Sequence, residues 1–223
     1  MGALKETGIA SQREPLGQAA IVAAAIALAD HDGVGALTMR NLSHRLGYKV
    51  MALYNYVATK DELLSLMVDT VAAEIGDPRP DEAPLTTVRT IALSTRAALV
   101  QHPWAPELWQ RYLPGPNRTR QMENLLRALD QSGLSPDLAH HGFHAVSNHV
   151  LGYTLQELGM TLGSEDADDP HAKAHDYLAG VSSDNYPYTV AHVRQHLSGD
   201  SASSFELVLD LILDGLVRLE RSR

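Results

Sequence analysis

His140 and His144 lie four residues apart in a stretch with helical periodicity, so both imidazoles fall on one helix face, a spacing that zinc sites use. His141 and His149 lie close by. A closed site needs more ligands than this: the chain has no cysteine, and no Glu follows His140 in a His-Glu-x-x-His pattern. The histidines therefore read first as pocket or interface residues, with metal sensing at His140 and His144 as the alternative, and no metal or other cofactor is assigned. A second group, His102, Trp104, Trp109, Tyr112, Phe143, His144 and Tyr153, gathers aromatic and imidazole rings between residues 85 and 162. Aromatic walls with a few polar groups describe a small-molecule pocket, and they describe an ordinary helical core equally well. The sequence has no Ser in a nucleophile elbow, no Gly-rich phosphate loop and no carboxylate pair with a matching partner, so nothing specific supports catalysis.

The elements around a second stretch, Leu37 to Lys60, are the best marked in the chain. Thr38 is an N-cap by type, and Met39, Leu42 and Leu46 share one face of the helix it opens. Gly47 can take positive φ and end that helix, which lets a second begin at about Lys49 after a few residues. This is a helix-turn-helix. On the second helix Leu53 and Val57 point inward, leaving Val50, Ala52, Tyr54, Asn55 and Tyr56 for the outer face and its flanks. Thr59 with Glu62 three residues on forms a capping box for the next helix.

Elsewhere the pattern is also helical. An Ala-rich helix is expected from Leu16 to about Asp30, ending in a loop over 32–35, and the capping box opens one from Lys60 to about Ile75. Further helices are expected from Leu85 to Gln101, Trp104 to Tyr112, Pro116 to Gln131 and, after a Ser135 cap, Pro136 to Leu162. An acidic loop from Gly163 to Asp184, with a short helix near Ala172 to Leu178, is the expected mobile segment, followed by helices over 188–197 and 203–220. The boundaries are a flexible arm over 1–14, a head over 15–76 and a body over 80–223, separated by the Pro-rich break at Gly76 to Pro80.

Composition narrows the setting. With 44% hydrophobic residues the chain can bury a core, and the absence of cysteine fits a reducing cytoplasm. No apolar run is long enough to span a bilayer, so no membrane partner is expected. The net charge of -9 is unevenly spread: residues 1–60 carry six basic and four acidic residues, the remainder twelve and twenty-three. A mildly basic head on an acidic body can approach a phosphate backbone head first.

The run Leu-Thr-Met-Arg-x-Leu-x-x-x-Leu-Gly, then Leu-Tyr-x-Tyr-Val, then Lys-Asp-Glu-Leu-Leu resembles the DNA-binding domain of the TetR family of transcriptional regulators. The resemblance implies an all-α fold. In it a three-helix N-terminal helix-turn-helix DNA-binding domain is joined by a fourth helix to a helical ligand-binding and dimerisation domain. It implies a homodimer on double-stranded, palindromic operator DNA, acting as a repressor and released by a small-molecule effector, with the body pocket of the first paragraph as effector site. By matching position, Arg40 would reach a guanine edge, and Thr38, Tyr54, Tyr56 and Lys60 would hold phosphates. Val50, Met51 and Ala52 would meet thymine methyls or set the approach, and Lys49 and Asn55 complete the set. Lys49 stands where relatives often have a small or capping residue, which would let the second helix start one residue later. The last helix is rich in apolar residues, and the ending resembles the tetracycline-repressor branch; Leu151, Phe205, Leu209, Ile212, Leu213 and Leu216 would form the dimer interface. That branch holds its drug with a His at the end of the fourth helix. The matching position here is Gly76, so another, partly aromatic effector is expected. An enzyme with a vestigial DNA-binding head and a helix-turn-helix architectural protein without an effector are the remaining rivals.

Overall fold

The computed structural model describes residues 16–162, 172–198 and 201–223, and these are helical with no strand among them. The arm expected over 1–14 and the acidic residues 163–171 lie outside the described residues. By its internal contacts the chain divides into two compact units, Met1–Leu63 and Leu64–Arg223.

In the first unit α1, Gln18–Asp32, buries Ile21, Val22, Ala25, Ile26, Leu28 and Ala29. Gly33, at φ 78°, ends it by donating its N–H to the Ala29 carbonyl. The expected loop over 32–35 is instead largely a 3-10 turn, Val34–Ala36, which Asn41 Nδ2 fastens by donating to the Ala36 carbonyl at 2.8 Å. The sequence gives no periodic signal for a single turn of this kind. Helix α2, Met39–Leu46, opens on Thr38, whose Oγ1 accepts from the Asn41 N–H at 3.0 Å. It closes on Gly47 at φ 72°, with Gly47 N–H bonded to His44 O and Tyr48 N–H to Ser43 O. Those two bonds make a Schellman turn, which satisfies carbonyls that the helix end leaves over.

Helix α3 covers only Val50–Tyr54. Lys49 has no side-chain acceptor for the first amides, so the helix starts at Val50 rather than Lys49. It ends before Val57 because the Tyr56 and Val57 amides both donate to the Leu53 carbonyl, which tightens the chain into a turn. Val57 is nevertheless fully buried, as is Leu53. Helix α4, Lys60–Ala73, begins at the end of this unit and continues in the next. At its start Thr59 Oγ1 accepts from Glu62 N–H and Glu62 Oε2 accepts from Ala58 N–H, a capping box that reaches back one residue further than usual.

In the second unit α5 (Pro84–Gln101), α7 (Pro116–Gln131), α8 (Pro136–Leu162) and α11 (Ser201–Arg221) make the main packing: α5 on α7 and α8, α7 on α8, and α8 on α11. The short α6, Ala105–Trp109, packs on α8, and α9 (Ala172–Gly180) touches α10 (Pro187–Ser198). Gly142 is a requirement of that packing. A Cβ there would lie 2.9 Å from Leu216 Cδ1 and 3.3 Å from Leu129 Cδ2, so glycine lets α7 and α11 close on α8.

Two polar fixtures hold the bundle. Asp69 on α4, 8% exposed, accepts from the Asn117 and Arg118 amides and from Asn117 Nδ2 at 3.0 to 3.2 Å. A carboxylate thus satisfies the free amides at the start of α7, where the helix dipole also favours negative charge. At the far end Ser135 N–H donates to Glu220 Oε2 at 2.8 Å, while Arg223 donates to Ser135 Oγ and to Asp137 Oδ2 at 3.0 and 2.7 Å. The Ser135 carbonyl accepts from Ala139 N–H, so Ser135 stands at the head of α8 as expected, and its hydroxyl accepts a bond from Arg223. Bonding to Arg223 holds the Asp137 carboxyl below its ordinary range, and the Ser135 amide does the same for Glu220.

Candidate nucleic-acid interface and ligand cavity

Leu53 and Val57 anchor the α3 segment from beneath, and the residues between and around them are turned out. Thr38, Arg40, Lys49, Met51, Tyr54, Asn55, Tyr56 and Lys60 are exposed, Val50 and Ala52 half-buried. Met51 is 72% exposed, far more than an apolar side chain with a packing role would be. Gln18 Nε2 donates to the Tyr56 carbonyl, tying α1 to the segment after α3. Arg40, Asn41, Ser43, His44, Tyr48, Lys49 and Val50 line one open depression on this unit, so Arg40 of α2 and Lys49 at the start of α3 address the same concavity. Asn41 and Ser43 are occupied within the fold: Asn41 fastens the 3-10 turn, and Ser43 Oγ donates to the Arg40 carbonyl. The outer face therefore presents three cations, Arg40, Lys49 and Lys60, with two phenols and an apolar tip, around a short helix whose register is fixed by two buried pegs. Such a face suits a duplex groove and its phosphates.

The second unit contains a cavity of about 480 Å³. Ile75, Ile91, Thr95 and Leu125 form part of its wall, with Trp109, Tyr112, Phe143 and His144 supplying the rings. Arg118, Gln121, Ser147 and Asn148 supply polar groups. Of the rings the sequence singled out, Trp109, Tyr112, Phe143 and His144 are therefore brought together, whereas His102, Trp104 and Tyr153 are not. His102 is buried beside Trp104, and its Nε2 lies 3.1 Å from Glu74 Oε2, which fixes the end of α5 to the residues after α4. Tyr153 packs edge-on to Phe205 and His149 in the α8–α11 seam, where His149 Nε2–H donates to the Phe205 carbonyl. His102 and Trp104 are core residues, and Tyr153 is half-buried in that seam.

Arg118 and Gln121 had no place in the sequence reading. Arg118 is 8% exposed; its Nη1 donates to the Tyr112 carbonyl at 2.9 Å and its guanidinium carbon lies 5.1 Å from the centre of the Trp109 ring. Burial lowers its pKa, and the nearby Asp69 raises it by less. Gln121 donates Nε2–H to the Ile75 carbonyl at 2.8 Å, which orients the amide, and its Oε1 has no hydrogen-bond partner among the described residues. A signal did exist: Arg118, Gln121, Asn124, Leu125, Ala128 and Leu129 form the buried stripe of α7, so its first turns place polar residues on the inward phase.

Two family models match the chain. The model described as "Bacterial regulatory proteins, tetR family" covers residues 21–67, and that described as "Tetracyclin repressor-like, C-terminal domain" covers residues 78–219. The chain belongs to the TetR family. Among curated relatives, a helix-turn-helix transcriptional regulator of Saccharopolyspora erythraea is 38% identical over 151 residues, 66% of this chain and 64% of the relative, so the match spans somewhat less than two thirds of that protein. The transcriptional repressor DrrR1 of Streptomyces coeruleorubidus is 30% identical over 211 residues, 91% of this chain and 78% of that one. The crystal structure of the TetR family protein ActR of Streptomyces coelicolor in complex with actinorhodin superposes with a TM-score of 0.76 at 30% identity, covering 92% of this chain and 98% of that one. The protein is thus a DNA-binding transcriptional regulator with a helix-turn-helix head and a helical C-terminal domain.

Within this TetR fold the stripe expected to form a dimer interface faces inward. Phe205, Leu209, Leu213, Leu216 and Leu151 are buried within the unit itself and Ile212 is half-buried. A helix with apolar residues on two faces does not disclose from sequence which face its own bundle takes. The large apolar residues left exposed on α11 are Leu207, Val208, Leu211 and Leu219, at 61, 38, 63 and 52%, with Leu155 exposed on the neighbouring α8. His140 and His144 pack edge-to-face at 4.7 Å between ring centres. Among the described residues no three His, Cys, Asp or Glu side chains are grouped to hold a metal ion, and the metal-sensing alternative is not supported.

Proposed function

We propose that this regulator is a ligand-responsive repressor that binds a palindromic operator as a homodimer and is released by a small-molecule effector. The observation that carries the reading is that one chain holds both an exposed, peg-anchored recognition helix in its first unit and a ring-lined cavity of about 480 Å³ in its second. Residues 15–76 serve as the DNA-binding domain and 80–223 as the effector-binding and dimerisation domain. Arg40 reads a guanine, Met51 with Val50 and Ala52 meets the groove floor, and Thr38, Lys49, Tyr54, Asn55, Tyr56 and Lys60 hold the backbone. Self-association uses the exposed apolar residues of α11, Leu207 and Leu211 foremost, with Leu155 of α8, because water-exposed leucines at helical spacing gain by meeting their copies across a two-fold axis.

The effector fills the cavity beside Trp109 and Phe143. Support by analogy comes from the ActR complex with actinorhodin, and from a TetR variant of Acinetobacter baumannii in complex with minocycline. Selection of bound sequences from a random duplex pool, at a stated salt concentration, tests the reading. The expected result is a two-fold palindrome with half-sites about 34 to 36 Å apart. Enrichment of single, asymmetric half-sites by a monomer would overturn the dimeric part, and no enrichment under any condition would overturn the operator itself.

A further inference from the structure

The cavity wall differs in charge from the unit that contains it. Residues 64–223 hold twenty-one acidic and twelve basic residues, yet the seventeen residues lining the cavity include an arginine and a histidine and no carboxylate. Arg118 is the permanent charge among them. More than nine-tenths of it is out of water, and among the described residues its guanidinium has one hydrogen-bond partner, the Tyr112 carbonyl. One side of the guanidinium lies near the Trp109 ring. The neighbouring carboxylate, Asp69, directs its oxygens to the backbone amides of Asn117 and Arg118 and to the Asn117 side chain, so it offsets the charge without hydrogen-bonding the guanidinium. A buried cation so placed recovers the stabilisation it lost with its water when an anion with flat oxygens comes into the cavity, since a guanidinium can bind a carboxylate through two parallel N–H donors.

We infer that the ligand of this cavity is an aromatic acid, its ring system against Trp109 and Phe143 and its carboxylate, or an equally acidic enol or phenol, on Arg118. The inference rests on the cavity being the effector site and adds the chemical class of the effector. The volume of about 480 Å³ accommodates such a molecule whole, and the other rings and the apolar residues Ile91, Met122 and Leu125 cover its faces.

The test uses the full chain and two probes of the same shape, 2-naphthoate and the neutral 2-naphthamide, titrated calorimetrically. The acid is expected to bind about tenfold or more tighter than the amide. That preference should shrink to about twofold or less in Arg118→Met and persist in Arg118→Lys, with circular dichroism confirming that each variant is folded. Should Arg118→Met fail to fold, the wild-type comparison of acid with amide still decides. Equal affinities, tighter binding of the amide, or no binding of the acid up to about 1 mM each overturn the inference. The effector reading fails separately: an acid that binds with an Arg118-dependent preference and leaves operator affinity unchanged would remove the effector role while keeping the aromatic-acid site. A neutral compound that fills the cavity and releases the operator would keep the effector role and overturn the acid.

Discussion

The two polar sites of this protein are held in opposite ways. On the head, the cations and phenols stand in water, and what is buried lies beneath them in Leu53 and Val57. In the body the polar groups, Arg118 and Gln121, are themselves buried and belong to the packing. An exposed donor costs the fold nothing before its ligand arrives, so it can be changed without disturbing the scaffold. A buried donor is part of the scaffold, and any change to it alters binding and stability together.

The strongest test of that contrast is to strike a peg and a tip of the same short helix. Leu53→Ala should cost about 2 to 5 kcal/mol in urea unfolding, because a fully buried leucine leaves a cavity behind. Met51→Ala, two residues away, should stay within about 0.5 kcal/mol of wild type while still altering which operators are bound. Similar losses from the two would erase the distinction.

In the body, Asp69→Ala should destabilise by about 1 to 3 kcal/mol, since amides at the start of α7 lose their acceptor. Gly115→Ala should also destabilise, because its new Cβ would fall 2.5 Å from Asp69 Cγ, a carboxylate held in place by those amides. In the Asp69→Ala background the glycine substitution should cost much less, and purely additive losses in a double-mutant cycle would contradict the close approach.

On DNA, Arg40→Ala should lose about 1 to 3 kcal/mol of discrimination at one guanine per half-site, whereas Lys60→Ala should weaken all sequences alike and reduce the salt slope by about one. Identical behaviour of the two variants would refute the division between base reading and phosphate holding.

The smallest effect concerns the clamp between the start of α8 and the end of α11. Asp137 and Glu220 have carboxyls lowered from 3.8 and 4.5 by their donors. Each therefore contributes stability above its unfolded value that is lost as pH falls through the lower folded value. Both are surface groups, so the change in melting temperature between pH 5 and pH 2 attributable to them should be slight. Arg223→Ala should move the Asp137 titration, followed by carboxyl NMR, upward; an unmoved titration would show that the Arg223 bond does not form in solution.

How legible each region was in the sequence follows from the same contrast. The head could be read almost residue by residue because its signals are local: Thr38 caps the helix three residues before its partner amide, Gly47 makes its turn with bonds no longer than five residues, and Thr59 and Glu62 cap one another's turn. The helix spans of α7 and α8 were equally plain, set by Pro at their starts and Ser-Gly between them. The cavity was only half legible. Its rings stand out in the sequence, but which of them share a wall depends on how α6, α7 and α8 pack, and Glu74 and Phe205 hold His102 and Tyr153 elsewhere. The face of α11 was ambiguous for a similar reason: two apolar stripes are equivalent until the neighbours are placed. Arg118 and Gln121 were missed because a polar residue on an inward phase looks, in sequence, like a weak helix face.

The Schellman turn at Gly47 and the pegs at Leu53 and Val57 together fix where α3 begins and how it is rotated. Nothing in that fixing depends on Met51 or Asn55, which are exposed, or on the outward side of Val50. On the proposed operator contacts, substitutions at these positions would alter the set of bound sequences while the folding free energy stays nearly constant. On that proposal the head would diverge toward new promoters by single steps, each passing through a well-folded protein, which is the condition under which duplicated regulators acquire separate targets.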